Sequence, residues 1–521
     1  MRRCTSIAVS AAALAAAVAL PALATPMGAD DARHLLARTG FGPTSAEVRE
    51  YAALSRDEAI ERLLAGVRTT SVTPVPAWSN ETGPLRPTPL AAATADERKA
   101  FALEQTRRGV EMRAWWVQEM LVTPSPLTER MTLFWHNHFV SSQQKVRVAR
   151  LMFAQNAAFR ANALGNFGTL LHVASKDPAM IVYLDSVQNR KGAPNENFAR
   201  EVMELFTLGQ GHYGEQDVKE AARAFTGWSL DRDTGTFLFR PRLHDNGEKT
   251  VLGSTGRFDG DDVLDLLLAR PETATFVVGK LWQEFVSPTR DPREIDRIAQ
   301  SFRASRYDVK VAVRALLRSP AFWAPEQRGI MVKSPVEIVV GTLRQLELSP
   351  PDTRAFALVA IGMGQNLFAP PNVRGWPGGE AWINSNTLLA RKQYLDRIAR
   401  NDADLPPALL KPVSTAETMT MDAASAAPMA RPPVAAPAAV DANAATAQAA
   451  RIALAVDRGL RSVRFDAVAW LSGRDGATRD ARLDSACRLL LPIPAQLPSP
   501  ADADATTAVH ALLLDPAYEL K

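Results

Sequence analysis

Apolar residues recur every three to four positions along most of the chain, the spacing of amphipathic helices. In "DDARHLLARTGFG" (30–42) acidic residues open the run and Gly40 closes it; "SAEVREYAALSRDEAIERLLAG" (45–66) divides into two more short helices. The same periodicity predicts helices over about 96–122, 127–140, 145–163, 195–208, 215–226, 260–269, 272–285, 293–304, 307–318, 333–346 and 353–363. One segment departs from it. "TGTFLFRPRLHDNGEKTVLG" (234–253) alternates apolar and polar residues on both sides of Asn246-Gly247, a favoured two-residue turn, and predicts a hairpin near 236–252. The expected fold is therefore mainly α, a large multi-helix domain with one small β-hairpin.

Two stretches lack this patterning. Residues 70–95 are rich in Pro and Thr and read as a long loop. Residues 412–447 are rich in Ala, Pro, Thr and Met with no apolar period, the composition of a disordered insertion. Helical pattern resumes from about 448. "VRALLRSPAFW" (313–323) is echoed by "VHALLLDPAYEL" (509–520), an apolar helix stopped by Ser-Pro or Asp-Pro and followed by an aromatic residue. The echo places helices 448–521 against the main domain, residues 25–411.

The N-terminus changes the picture of location. "MRRCTS" is a short basic start, "IAVSAAALAAAVALPAL" is apolar, and Ala22-Leu23-Ala24 has the form of a cleavage site. Residues 1–24 thus read as a signal peptide, and the mature protein as exported to the periplasm or beyond the cell. No later stretch is long and apolar enough to predict a membrane span. Without Arg2 and Arg3 the charge is nearly balanced, 58 basic residues against 56 acidic, with no dense basic run. Nucleic acid is not an expected partner. Of the two cysteines, Cys4 falls in the signal, so Cys487 is left without a disulfide partner.

Candidate chemistry centres on "NENFAREVMELFTLG" (195–209). Asn195 suits the N-cap and Gly209 the stop. At 100° per residue Glu196, Arg200 and Glu204 form one stripe able to pair at i,i+4, the pattern of a solvated ion-pair face. Glu201 lies on the flank of the apolar arc holding Phe198, Leu205 and Leu208, where partial burial raises a carboxylate's pKa unless a cation, a metal or N–H groups stabilise it. It reads either as a buried structural ion pair or as a working group.

Histidines supply the rest. In "LTERMTLFWHNHFV" (127–140) a helix sets His138 on the apolar stripe and His136 on the opposite side with Glu129, so the two do not share an ion. The letters HNH also match a nuclease motif, but neither the ββα setting nor the basic surface it needs is apparent. His172 stands in "LLHVASKDPAMIVYLD" near Asp177 and Asp185. His244-Asp245 precedes the Asn-Gly pair, where Asp245 serves either local turn hydrogen bonds or the orientation of the imidazole. Trp376 and Trp382 in "PPNVRGWPGGEAWINSNTLLARKQYL" (370–395) either lock a loop or offer stacking faces. No Gly-rich phosphate loop, nucleophile elbow, HExxH or EF-hand pattern is present.

Taken in order, "ARHLLARTGFGPT", "LTERMTLFWHNHF", "NENFAREVMELFTLG", "DVKEAARAFTGW", "HDNGEKTVLG", "KSPVEIVVGTLRQL" and "GQNLFAPPNVRGWPGGEAWINSNTLL" resemble an exported bacterial family called domain of unknown function 1800. The resemblance covers about 30–395, and "ALLLDPAYEL" resembles the family's ending. It implies no established reaction. It does imply a possible association with an exported phosphatase- or sulfatase-like protein of the family called domain of unknown function 1501.

Two readings remain open. The first is an enzyme in which Glu201 is general base or metal ligand, His138 and His244 supply a second base, His138 and His172 further ligands to a divalent cation, and Arg200 neutralises an anionic substrate. The second is a non-catalytic scaffold or accessory protein for the phosphatase-like partner, its polar motifs serving as buried helix-packing networks.

Overall fold

The structure, a computed structural model, describes residues 25–86, 92–400, 453–498 and 503–521. The expected signal peptide and the Ala/Pro-rich insertion lie outside the described residues. Helices α1 (Gly28–Thr39), α2 (Ser45–Ala52) and α3 (Arg56–Ala65) open the fold. Thr44 and Ser55 form capping boxes with Glu47 and Glu58, which satisfies donors that a helix start leaves free. Helix α4 (Ala95–Val122) is exposed along its first turns and buried from Gly109 onward. At Gly109 a Cβ would overlap the terminal amide of Gln143, which would have to shift.

Helix α5 (Pro126–His138) is buried on nearly every side. Its polar residues are therefore paired internally. Glu129 accepts hydrogen bonds from Arg160 at 2.6 and 2.8 Å and from the Trp116 indole at 2.7 Å. Arg130 contacts Glu337 and, at 2.6 Å, Glu284. Around α5 stand α6 (Gln143–Val146), α7 (Ala149–Ala161), α8 (Phe167–Ser175) and α9 (Pro178–Tyr183). Next come α10 (Asn197–Glu201), a π-helix (Val202–Thr207) that continues it directly, and α11 (Glu215–Ala224).

The β content is two small antiparallel pairs, β1 (Trp228–Leu230) with β2 (Phe237–Phe239) and β3 (Lys249–Val251) with β4 (Ser254–Gly256). This corrects the position of the expected turn. Leu252 and Gly253 form the β3–β4 turn, with φ of 51° and 81°, the positive values a two-residue hairpin demands. Asn246-Gly247 instead lies in the approach to β3. There the Asp245 carboxylate accepts from Gly247 N at 2.9 Å, and buried Lys249 donates to the carbonyls of Asp245, Gly247 and Phe258.

The second half runs through α12 (Gly260–Ala269), α13 (Pro271–Phe285), α14 (Pro292–Ala304), α15 (Val309–Arg318), α16 (Pro320–Trp323), α17 (Pro335–Gln345), α18 (Arg354–Gly362) and α19 (Ser385–Arg400). The C-terminal residues dock against it. Trp470 Nε1 donates to Gln345 O at 3.0 Å, Arg391 to Glu519 at 2.8 Å, and Leu520 bridges to Val332. In the two echoed segments Ser319 and Asp515 each cap the short turn that starts at the following proline. One apolar cluster extends from Leu35 to Tyr518, so both halves share a core. No helix among the described residues is long and apolar enough to cross a membrane.

Candidate functional site

A π-helix holds more residues per turn than an α-helix, is rare, and is found mostly as single turns near functional sites. Here it starts immediately after Glu201. Leu208 N donates to Met203 O at 2.8 Å and Thr207 Oγ1 to Val202 O at 2.6 Å, both spanning five residues. The turn alters the expected ion-pair stripe. Glu196 and Arg200 pair at 3.2 Å, as i,i+4 spacing predicts. The third member, Glu204, is carried out of that row. Arg200 turns instead to Glu215, two hydrogen bonds of 2.8 Å. Glu204 accepts from Tyr213 OH at 2.9 Å and Gln210 Nε2 at 2.8 Å, with the exposed Arg374 guanidinium 3.9 Å away. Arg200, expected to meet an anionic substrate, is held by Glu196 and Glu215, and Arg374 is the exposed cation beside Glu204.

Glu201 is half-buried and its carboxylate makes no hydrogen bond among the described residues. Burial pushes its carboxyl up to about 7, and the charge on Glu204 adds to this, against the opposing pull of Arg200 and Arg374. Tyr183 at the end of α9 is pushed up to about 12 by burial and by the charge of Glu201. The charges acting on this carboxyl are those of Glu204, Arg200 and Arg374, and its own charge acts on Tyr183.

The three residues His136-Asn137-His138 tie α5 to three different elements. His136 Nε2 accepts from Asn156 of α7 at 3.1 Å. Asn137 Oδ1 accepts from Trp376 N at 2.7 Å and fixes the loop that carries Arg374. His138 Nε2 donates to Phe206 O, 3.1 Å, at the end of the π-helix. Its other nitrogen accepts from Lys280 of α13 at 3.2 Å, and Lys280 also reaches Leu205 O at 3.3 Å. Burial, and then the charge of Lys280, hold His138 well below the usual imidazole range, so it is a neutral donor that shapes the turn. Lys280 is lowered to about 8, by burial first and Arg290 second.

The other expected site residues lie apart. His172 sits between Asp261 and Asp265 of α12, at 2.9 and 3.1 Å, in a partly exposed cluster with Lys176. His244 is buried and donates through Nδ1 to Thr226 O at 2.9 Å. Asp245 does not orient it; that carboxylate is bound by Arg223 at 2.8 Å and held down to about 2, chiefly by this bond. Among the described residues no group of three or more His, Cys, Asp or Glu is placed to hold a metal ion, and Glu201, His138 and His172 are not brought into one such group. Each of those imidazoles is engaged by a different helix, and the donor set does not fit a metal centre. Trp376 and Trp382 are buried and lock their loop.

What the geometry does assemble is Glu201 and Glu204 with Tyr183, Tyr213 and Arg374. Tyr213 and Arg374 carried no sequence signal of their own. The nearest hint was the Gly-rich stretch after Arg374, which marks a tightly folded loop. No curated protein and no solved structure is significantly similar to the chain. A family model matches residues 34–518, nearly the whole chain, and the protein belongs to that family, described as a protein of unknown function (DUF1800).

Proposed function

We propose that the protein is an exported enzyme performing carboxylate acid–base chemistry at the Glu201–Glu204 face. The observation that carries this reading is Glu201. It is half-buried, titrates near neutrality and lacks a hydrogen-bond partner among the described residues, next to a second carboxylate whose two oxygens are already held. A carboxyl group with a pKa near the working pH can both give and take a proton, which suits general acid–base catalysis. Glu201 is the proton-transfer group. Glu204 sustains its raised pKa, and Tyr213 keeps Glu204 in place. Arg374, 72% exposed, is positioned to meet an anionic group on a substrate. Export rests on the basic-then-apolar N-terminal sequence and its Ala-Leu-Ala cleavage pattern.

The test is Glu201→Gln, followed in a broad hydrolase screen and by thermal melting. Activity is expected to fall by about 100-fold or more, the usual worth of a positioned acid–base group. Stability is expected to move the other way. The folded pKa of about 7 exceeds the ordinary value of 4.5, so the folded state binds more protons between these values. Its stability therefore declines as pH rises through that window, a loss that Gln avoids. The variant should melt above the wild type at pH 8, with the gap closing toward pH 4.5. A variant that melts lower at pH 8 and keeps full activity would identify Glu201 as a packing residue and leave the accessory-protein reading, with the phosphatase-like partner, in its place.

A further inference from the structure

A groove of about 650 Å³ lies before the helix that carries Glu201, lined by Val187, Gln188, Arg190, Ala193, Pro194, Asn195 and Glu196. Backbone hydrogen bonds join its floor to the β2 region. Lys191 N donates to Leu243 O at 2.7 Å, Gly227 N to Asn189 O at 3.1 Å, and Arg240 N to Gly227 O at 2.8 Å. Two features therefore come together on one surface. The first is apolar: Val187, Phe239 and Leu243 are 39%, 39% and 38% exposed. The second is cationic: Arg190, Lys191, Arg240 and Arg242 are all exposed, and none forms an ion pair among the described residues. Of the nearby carboxylates, Glu196 is spent on Arg200 and Asp245 on Arg223, while Asp231, bound by the N–H groups of Asp233 and Thr234, lies in the field of Arg240. The groove, with Val187 and Arg190 on its wall, thus continues into a net-positive β2 region that carries Phe239 and Leu243.

We propose that this groove docks an acidic segment of a partner protein, with apolar side chains of that segment seated between Val187, Phe239 and Leu243. Charge complementarity fixes the sign of the partner, because exposed cations outside ion pairs, Arg190, Lys191 and Arg242 above all, steer and orient an acidic chain. The exposed apolar residues favour a peptide over a purely polar polyanion. The concave shape favours an extended segment over a flat lipid surface. The proposal uses no chemistry of Glu201, so Glu201→Gln should bind normally.

The experiment measures anisotropy of a fluorescein-labelled short peptide of alternating Glu and Leu or Phe on the full chain. Binding is expected, weakening as ionic strength rises. Arg190→Glu combined with Arg242→Glu should weaken it by roughly tenfold or more, and Val187→Asp should also weaken it. Arg98→Glu with Lys99→Glu, an equal charge change at exposed positions on α4, should leave it unchanged. All four charge substitutions are at exposed sites, and unchanged melting curves would show that the fold is kept. Absence of binding, equal weakening by both charge-reversal pairs, or preferential binding of polyaspartate or phosphatidylserine vesicles would each overturn the proposal.

Discussion

Replacing Glu337 by Gln is expected to destabilise the protein by about 3–5 kcal/mol, the cost of removing one partner from a buried ion network. Glu337 lies in the first turn of α17, where one oxygen accepts from Ser334 N at 2.8 Å in a capping box. The other is contacted by Arg130 of α5 and by Lys521. Burial opposes ionisation of this carboxyl, but attraction to Arg130 and Lys521 outweighs it and holds the group well below the ordinary range. Because the folded pKa is depressed, the stabilisation is present above the unfolded value of about 4.5 and is lost as pH falls below it. The wild type should therefore lose stability below about pH 4.5 more steeply than the variant. Burial, with repulsion from Arg130, also pulls Lys521 down, to about 8, so the ammonium is itself costly there and depends on Glu337. The double variant Glu337→Gln, Lys521→Met should recover part of the loss, because it leaves no uncompensated ammonium. Urea unfolding of Glu337→Gln, Lys521→Met and the double variant checks this; additive losses would show that the two side chains do not act as a pair.

Gly375→Ala is expected to cost roughly 3 kcal/mol or more, from overpacking together with a left-handed backbone. Gly375 has φ of 89°, and a Cβ there would overlap Asn137 Oδ1 and lie 2.9 Å from Asn137 O. Asn137 belongs to a rigid buried helix, so the loop must move. That movement breaks the bond from Trp376 N to Asn137 and displaces Arg374 from Glu204. The variant should melt lower and, if the acid–base reading holds, lose activity beyond what its folded fraction explains. Asn137→Ala relieves the overlap while losing the hydrogen bond, so Asn137→Ala, Gly375→Ala should be less destabilised than the sum of its parts. A simple sum would mean the two positions do not meet.

The mainly α class was legible because the amphipathic period is strong and its caps are explicit, as at Thr44, Ser55 and Ser334. Burial of Glu201 was also legible, since residues 197–201 follow the α period on which the helical wheel depends. The wheel failed one residue later. Nothing in the letters Val-Met-Glu-Leu-Phe-Thr announces a wider turn, so Glu204 was assigned to Arg200 when it meets Tyr213 and Gln210. The histidines illustrate a different limit. A wheel separates inside from outside, but α5 is enclosed on nearly every side, so the face of His136 is as buried as that of His138. The hairpin was misplaced because Asn-Gly is only a preference; the Asp245 side chain and the Lys249 ammonium claimed the backbone around it.

The wide turn after Glu201 has a consequence for how this site can vary. What sets Glu204 apart from the row of Glu196 and Arg200 is spacing, one additional residue within the coil, rather than any particular side chain. A shortened chain lacking a single residue between 205 and 207 would wind as an ordinary helix and return its glutamate to the arginine with every letter of its acidic motif intact. On the acid–base reading, insertions and deletions at that point would disturb the site more sharply than most substitutions do.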